Sequence, residues 1–321
     1  MSLLVRGIYT LIIAFVLEVL ICPVLIPFLN KAEFGQTVRD DGPQSHLKKN
    51  GTPTMGGISF LAAFGISSLI MKPDMNGLVI VLVTLAFGLV GATDDYIKVF
   101  KKRSLGLKAM QKIVFQLIVS GGLIAYIYIS GIGTQIYIPF SGGRTLELGW
   151  LYIPFAVIAI LGTVNGVNLT DGLDGLSDGV TLIVVIFFTM CANAANEQSV
   201  IPGGAMIGGL LAFLIFNAYP ARVFMGDTGS LALGGFVISF ALIMKMPLFI
   251  LIVGIIYFIE TISVMIQVVV YKKTKKRFFK MAPIHHHFEL SGWSETKVVT
   301  VFYIITAVAG LVGYLGTQNM F

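Results

Sequence analysis

Apolar runs nearly as long as a bilayer is thick recur along the whole of this chain, and that repetition restricts the fold more than any single motif. An α-helix rises about 1.5 Å per residue, so roughly 20 apolar residues cross about 30 Å of hydrocarbon with their backbone groups paired inside the segment. Ten spans are expected, at 3–29, 55–71, 78–93, 113–132, 150–167, 180–191, 201–219, 230–244, 248–270 and 298–315. The alternating ten-residue segments of a membrane barrel are absent. The 321 residues are 56% hydrophobic and only 12% charged, too little polar surface for a water-soluble globule. The expected fold is therefore an all-α polytopic membrane protein, one integral membrane domain over residues 1–321.

The first run is followed by no small-residue cleavage site and is kept as a spanning helix bent near Pro23 and Pro27. Cys22 and Cys191, the two cysteines, both fall in apolar runs, which indicates neither a disulfide framework nor a thiolate metal site. No internal repeat is visible, in contrast to the paired halves of many transporters.

Charge orients the spans. If loops alternate between two sides, those after spans one, three, five, seven and nine hold all of the 22 Lys and Arg except Arg6, Lys72, Arg144 and Lys245. The positive-inside rule then places these five loops in the cytoplasm and both termini outside. Anionic headgroups account for the net charge of +6, so no nucleic-acid partner is expected. Asp94, Asp95, Asp171, Asp174, Asp178 and Asp227 fall on the same side, which the charge rule alone does not require. Among the outer loops, 133–149 alternates Ile136, Ile138 and Leu146, Leu148 about Ser141-Gly142-Gly143, the pattern of a small β-hairpin.

The cytoplasmic loops carry the chemistry. Loop one holds Lys49 and Thr54 within a glycine-rich stretch that suits an anion or simply caps the next helix, with Thr54 as N-cap. Asp94 and Asp95 end the third span; neighbours on a helix point about 100° apart, so one can bind metal while the other meets substrate, or both are a solvated helix end beside Lys98. Loop five, 165–179, contains Asn168, Asp171, Asp174 and Asp178 without Lys or Arg, and lacks the spacing of a calcium-binding EF-hand. Sugar, nucleoside or metal recognition is favoured there over passive turns. Loop seven offers Asn217, Phe224, Asp227 and Ser230; Asp227 can complete a metal site with loop three or cap its own helix. Loop nine combines Lys272 to Arg277 with His285-His286-His287, three side chains that can donate to phosphate oxygens and that rarely converge on one metal ion. Glu18 and Glu260 lie inside spans and are left without a role.

Taken together, the stretches 49–57, 94–95, 168–174, 217–230 and 283–289 resemble one family across nearly the whole chain. These are the phospho-N-acetylmuramoyl-pentapeptide transferases of peptidoglycan synthesis, within the polyprenyl-phosphate N-acetylhexosamine-1-phosphate transferases. The acidic stretches resemble the superfamily, and Pro283 to Glu289 resembles the muramoyl-pentapeptide branch. The resemblance implies a Mg²⁺-dependent enzyme of the bacterial cytoplasmic membrane, with UDP-MurNAc-pentapeptide and undecaprenyl phosphate as substrates and lipid I and UMP as products. By motif, Asp94, Asp95 and Asp227 would be the catalytic acids and metal ligands, Asp227 foremost. Lys49, Asp174 and Phe224 would line a uracil pocket, and Thr54, Asn168 and Asp171 the adjoining nucleoside and sugar region. Asn217, Ser230, Lys112 and the three histidines would complete the active site.

Single displacement by the lipid phosphate and double displacement through a phospho-carboxylate both remain open at this point, as does a homodimer. The rival functions are a sibling transferase for UDP-GlcNAc and, from another class, an ion transporter, which the one-sided acids and the missing repeat disfavour.

Overall fold

The computed structural model describes residues 2–31, 51–100 and 106–321. The helices are α1 Leu3–Lys31, α2 Gly57–Ile70, α3 Met75–Phe100, α4 Ala109–Ile129, α5 Tyr152–Thr170, α6 Leu176–Ala194, α7 Val200–Asn217, α8 Gly226–Ile243, α9 Ile250–Val253, α10 Ile255–Thr274, α11 Ile284–Glu289 and α12 Glu295–Leu315. Among the described residues nine helices are long and apolar enough to cross a membrane, while α2, at 14 residues, is a shorter apolar helix.

Burial sorts these helices into an inner and an outer set. Every residue of α8 from Thr228 to Ile243 is buried, and α7 is nearly as enclosed. In contrast, Leu20, Val24 and Phe28 of α1, Ile118 and Ile129 of α4, and Leu311 of α12 are exposed. Apolar side chains facing outward suit hydrocarbon, the expected surroundings of a chain of this composition. α3 and α5 pack on α8, and α7 lies against α1, α2 and α6. The α3–α8 crossing is close because Gly91 faces it: a side chain there would collide with the Asp227 carbonyl.

Three boundaries differ from the sequence expectation and bear on the site. α3 does not end at Thr93 but continues to Phe100, so Asp94, Asp95 and Lys98 share its last turns. Asn165 and Asn168 belong to α5 and Asp178 to the first turn of α6, which shrinks the expected fifth loop to a tight turn at 171–175. The ninth run is interrupted at Gly254, where α9 stops and α10 begins. The expected hairpin is present: β1 Gln135–Tyr137 pairs antiparallel with β2 Thr145–Glu147, Ile136 opposite Leu146. It is tied down by hydrogen bonds from Tyr137 N–H to the Lys245 carbonyl and from Phe140 N–H to the Gly316 carbonyl.

Candidate active site

The last turns of α3 present two carboxylates and a lysine at helical spacing. Lys98 lies i+4 from Asp94 and i+3 from Asp95, the two separations that bring side chains together on one helix face. Its Nζ stands 2.6 Å from Asp94 Oδ2 and 3.7 Å from Asp95 Oδ1. Asp95 is committed to the neighbouring helix: Oδ2 accepts from Thr228 N–H (2.8 Å) and the Thr228 hydroxyl (2.7 Å), and Oδ1 accepts from Asp227 N–H (3.2 Å). These are unsatisfied amides of the first turn of α8, where a carboxylate is favoured by the helix dipole. So α8 is capped by an acid from α3 and not by Asp227. Asp94 Oδ1 accepts from Leu107 N–H at 2.7 Å, and Gly106 leaves the room for that approach.

Asp227, thus freed from capping, is the most accessible of the three acids, with 16% of its side chain exposed against 4% for Asp94 and 3% for Asp95. Its Oδ2 is 2.9 Å from both Lys98 Nζ and Lys112 Nζ. Asn168 Nδ2 donates to Asp227 Oδ1 (2.9 Å) and to Ser230 Oγ (2.7 Å), linking α5 to α8. The structure therefore gathers Asp94, Asp95, Asp227, Lys112, Asn168 and Ser230, all expected from sequence, about a lysine that sequence reading had only as a surface neighbour.

The other expected residues form the surroundings. Lys49 lies outside the described residues. Thr54 does not cap α2, whose N-cap is Gly56; its hydroxyl packs against Gly226, whose φ of +71° belongs to the left-handed region open to glycine. The Phe224 backbone ties residues 53–56 to the start of α8, donating to the Pro53 carbonyl (2.8 Å) and accepting from Gly56 N–H (2.8 Å). Asn217 is a brace, accepting from Gly175 N–H (2.9 Å) and donating to the Val223 carbonyl (2.8 Å). Asp174 accepts from Ala221 N–H at 2.9 Å. The Asp171 carboxyl is held well above the usual carboxylate range by desolvation first and then by the charges of Asp227 and Asp95.

The rings of His285 and His286 meet edge to face, with centroids 4.1 Å apart, while His287 turns to Phe279. His285 is fully buried, its Nδ1 3.0 Å from Glu260 Oε1, and its ring edge lies over Gly172. His286 Nδ1 pairs with Glu289 Oε2 at 2.8 Å, and His287 Nδ1 accepts from Lys280 N–H at 3.2 Å. His285 thus reaches the α5–α6 turn. Sequence reading missed three contributors: Lys98, legible in its i+3 and i+4 spacing; Thr228, which carries no sequence signal of its own; and Glu260, legible only as an acid in an apolar run.

The donor set fits a metal ion. Asp94, Asp95 and Asp227 each offer an oxygen within 4.8 Å of the others. Three hard oxygens at that separation suit a hard divalent cation, and Asp227 and Asp94 have the fewer prior commitments to backbone amides.

Comparison with known proteins bears on what such a site does. The family model described as Glycosyl transferase family 4 matches residues 77–245, just over half the chain and the stretch holding all three acids. A second model, the phospho-N-acetylmuramoyl-pentapeptide-transferase signature 1, matches residues 49–61. The chain is 53% identical to the phospho-N-acetylmuramoyl-pentapeptide-transferase of Clostridioides difficile, over 94% of this chain and 94% of that one. It is 51% identical to the protein of the same name from Acetivibrio thermocellus, over 98% of this chain and 96% of the other. With that identity sustained across nearly its whole length, the chain belongs to the phospho-N-acetylmuramoyl-pentapeptide-transferase family.

Proposed function

We propose that this protein transfers phospho-MurNAc-pentapeptide from UDP-MurNAc-pentapeptide to undecaprenyl phosphate, giving lipid I and UMP, on the cytoplasmic face of a bacterial inner membrane. The observation that carries the reading is the cluster of three carboxylates and two lysines at the α3–α8 crossing, in a chain of this family. The cation-rich loops support a topology with that crossing on the cytoplasmic side and both termini outside.

Each residue then has a task set by its surroundings. Lys98 and Lys112, already paired to Asp227, neutralise pyrophosphate oxygens of the nucleotide sugar. Asp94 Oδ2 takes the proton of the undecaprenyl phosphate. The lipid phosphate oxygen bonds to the β-phosphorus as the bond from that phosphorus to the UMP oxygen breaks, and UMP leaves with the electron pair. Asp227 and Asp94, with Asp95 behind them, would hold Mg²⁺, which would supply positive charge to the pyrophosphate and the leaving UMP. Asp95 keeps the first turn of α8 in place and with it Asp227. Asn168 orients Asp227 through Oδ1. By the family resemblance, Lys49, Asp174 and Phe224 would line the uracil pocket, and Thr54 and Asp171 the nucleoside and sugar region.

The test is UMP release by purified protein given undecaprenyl phosphate with either UDP-MurNAc-pentapeptide or UDP-GlcNAc. Release with the first supports the proposal; release with UDP-GlcNAc alone makes the protein a sibling transferase. A phosphorylated aspartate trapped without lipid phosphate would replace the single step by a double displacement.

A further inference from the structure

Two fully buried groups, Glu260 in α10 and His285 in α11, form a pair that the scheme above does not use. Glu260 Oε1 lies 3.0 Å from His285 Nδ1, and Oε2 accepts from Ile284 N–H at 2.8 Å. One carboxylate thus fixes both the start of α11 and the ring of its second residue. A carboxylate offers only acceptor oxygens, so Nδ1 carries a proton, and in the neutral ring Nε2 keeps its lone pair.

That nitrogen has no partner among the described residues. His285 Nε2 is buried and without a hydrogen bond, whereas a histidine serving only as a brace normally satisfies both nitrogens, because an unpaired buried acceptor costs free energy. Nε2 lies over Gly172, where any side chain would fall on it. Gly172 follows Asp171, whose carboxyl feels the charges of Asp227 and Asp95. The unpaired atom therefore lies against Gly172, one residue from the proposed sugar region, and the lack of a side chain there is what allows the close approach.

We propose that Glu260 is the positioning residue of His285: it holds the imidazole as the Nδ1–H tautomer and presents Nε2 as an acceptor for a hydroxyl or amide N–H of the bound nucleotide sugar. The activity arm of this inference rests on the transferase reading; the tautomer arm does not.

The experiment combines ¹⁵N NMR of histidine-labelled protein with kinetics of three variants. His285→Asn keeps an amide donor close to the place of Nδ1, so it can still bond Glu260, but deletes Nε2. His285→Gln identifies the His285 signal by its loss. Glu260→Gln offers the ring an amide that can donate as well as accept. The expected spectrum of the resting wild type shows His285 protonated at Nδ1 alone, and Glu260→Gln shifts that signal toward the other tautomer. Loss of Nε2 or of its orientation is expected to lower kcat/KM about tenfold or more, with His285→Asn melting near the wild type. Protonation of His285 at Nε2 alone in the wild type, or full kcat/KM in His285→Asn, overturns the proposal. Should Glu260→Gln fail to fold, the wild-type spectrum and His285→Asn still decide. Should the wild type itself not turn over UDP-MurNAc-pentapeptide, the transferase reading falls while the spectrum still tests the pair.

Discussion

Asp95 accepts two hydrogen bonds on one oxygen from a single residue of another helix: Thr228 N–H at 2.8 Å and Thr228 Oγ1–H at 2.7 Å. This makes Asp95 a cap of α8 as well as a member of the acidic cluster, and separates it from Asp94 although the two are adjacent in sequence. Asp95→Asn keeps the volume but places an amide N–H₂ against donors of α8. It is expected to lose about 1–2 kcal/mol of stability as well as turnover, as removal of a good cap does. Asp94→Asn, which touches one backbone amide and Lys98, is expected to lose turnover with a smaller drop in melting temperature. Equal melting temperatures for the two variants would contradict the division.

Gly91 sets the distance between α3 and α8. A methyl group there meets the Asp227 carbonyl, which is backbone and cannot swing away. Gly91→Ala is expected to cost about 1–3 kcal/mol and to cut turnover by pushing Asp227 away from Lys98 and Asp95. The control is Ala92→Gly on the same helix, and thermal melts with UMP-release assays read both. Full activity in Gly91→Ala would show that the crossing tolerates expansion.

Asp171 makes stability depend on pH in a definite direction. Its carboxyl is raised in the folded protein, so the folded chain holds the proton more tightly than the unfolded one. The stability this gives is complete below the unfolded carboxylate pKa and is lost as pH rises through the folded value. Asp171→Asn removes the titration. In divalent-free buffer the variant should melt close to the wild type at pH 3.5 and above it at pH 8; a constant difference across that range would contradict the assignment.

Lys98 stands where a cation is in contact with all three carboxylates, at 2.6, 3.7 and 2.9 Å. Replacing it by Met leaves three acids without that charge. Lys98→Met is therefore expected to melt lower than the wild type in EDTA and to gain more stability from added Mg²⁺, by ligand linkage. Thermal melts against Mg²⁺ concentration measure this, and identical shifts in both proteins would show that Lys98 and the metal do not share the site.

Nine of the ten expected spans were legible, as long apolar helices among the described residues, because apolar length is a local signal. The hairpin, too, was legible, from alternating Ile136 and Leu146. Helix ends were not: Asp94 and Asp95 look like a boundary, yet their charges are paired by Lys98 and by amides of α8, so α3 runs on for nearly two more turns to Phe100. Long-range partners were equally hidden. Asn217 looked like a substrate contact and braces two turns, and Glu260 gained a meaning only when α11 folded back onto α10. The histidine triplet was visible, but its separation into three unlike environments depends on Glu260, Glu289 and the Lys280 backbone.

Asp227 is the most accessible acid of the α3–α8 cluster, and its substitution tests the account most directly. UMP release from UDP-MurNAc-pentapeptide and undecaprenyl phosphate should be measured for the purified wild type and Asp227→Asn, with melting temperatures taken on the same samples. The account predicts UMP only when both substrates are present, and turnover in the variant lower by about a hundredfold or more at a melting temperature within a few degrees of the wild type. A folded Asp227→Asn protein that releases UMP at the wild-type rate would contradict it.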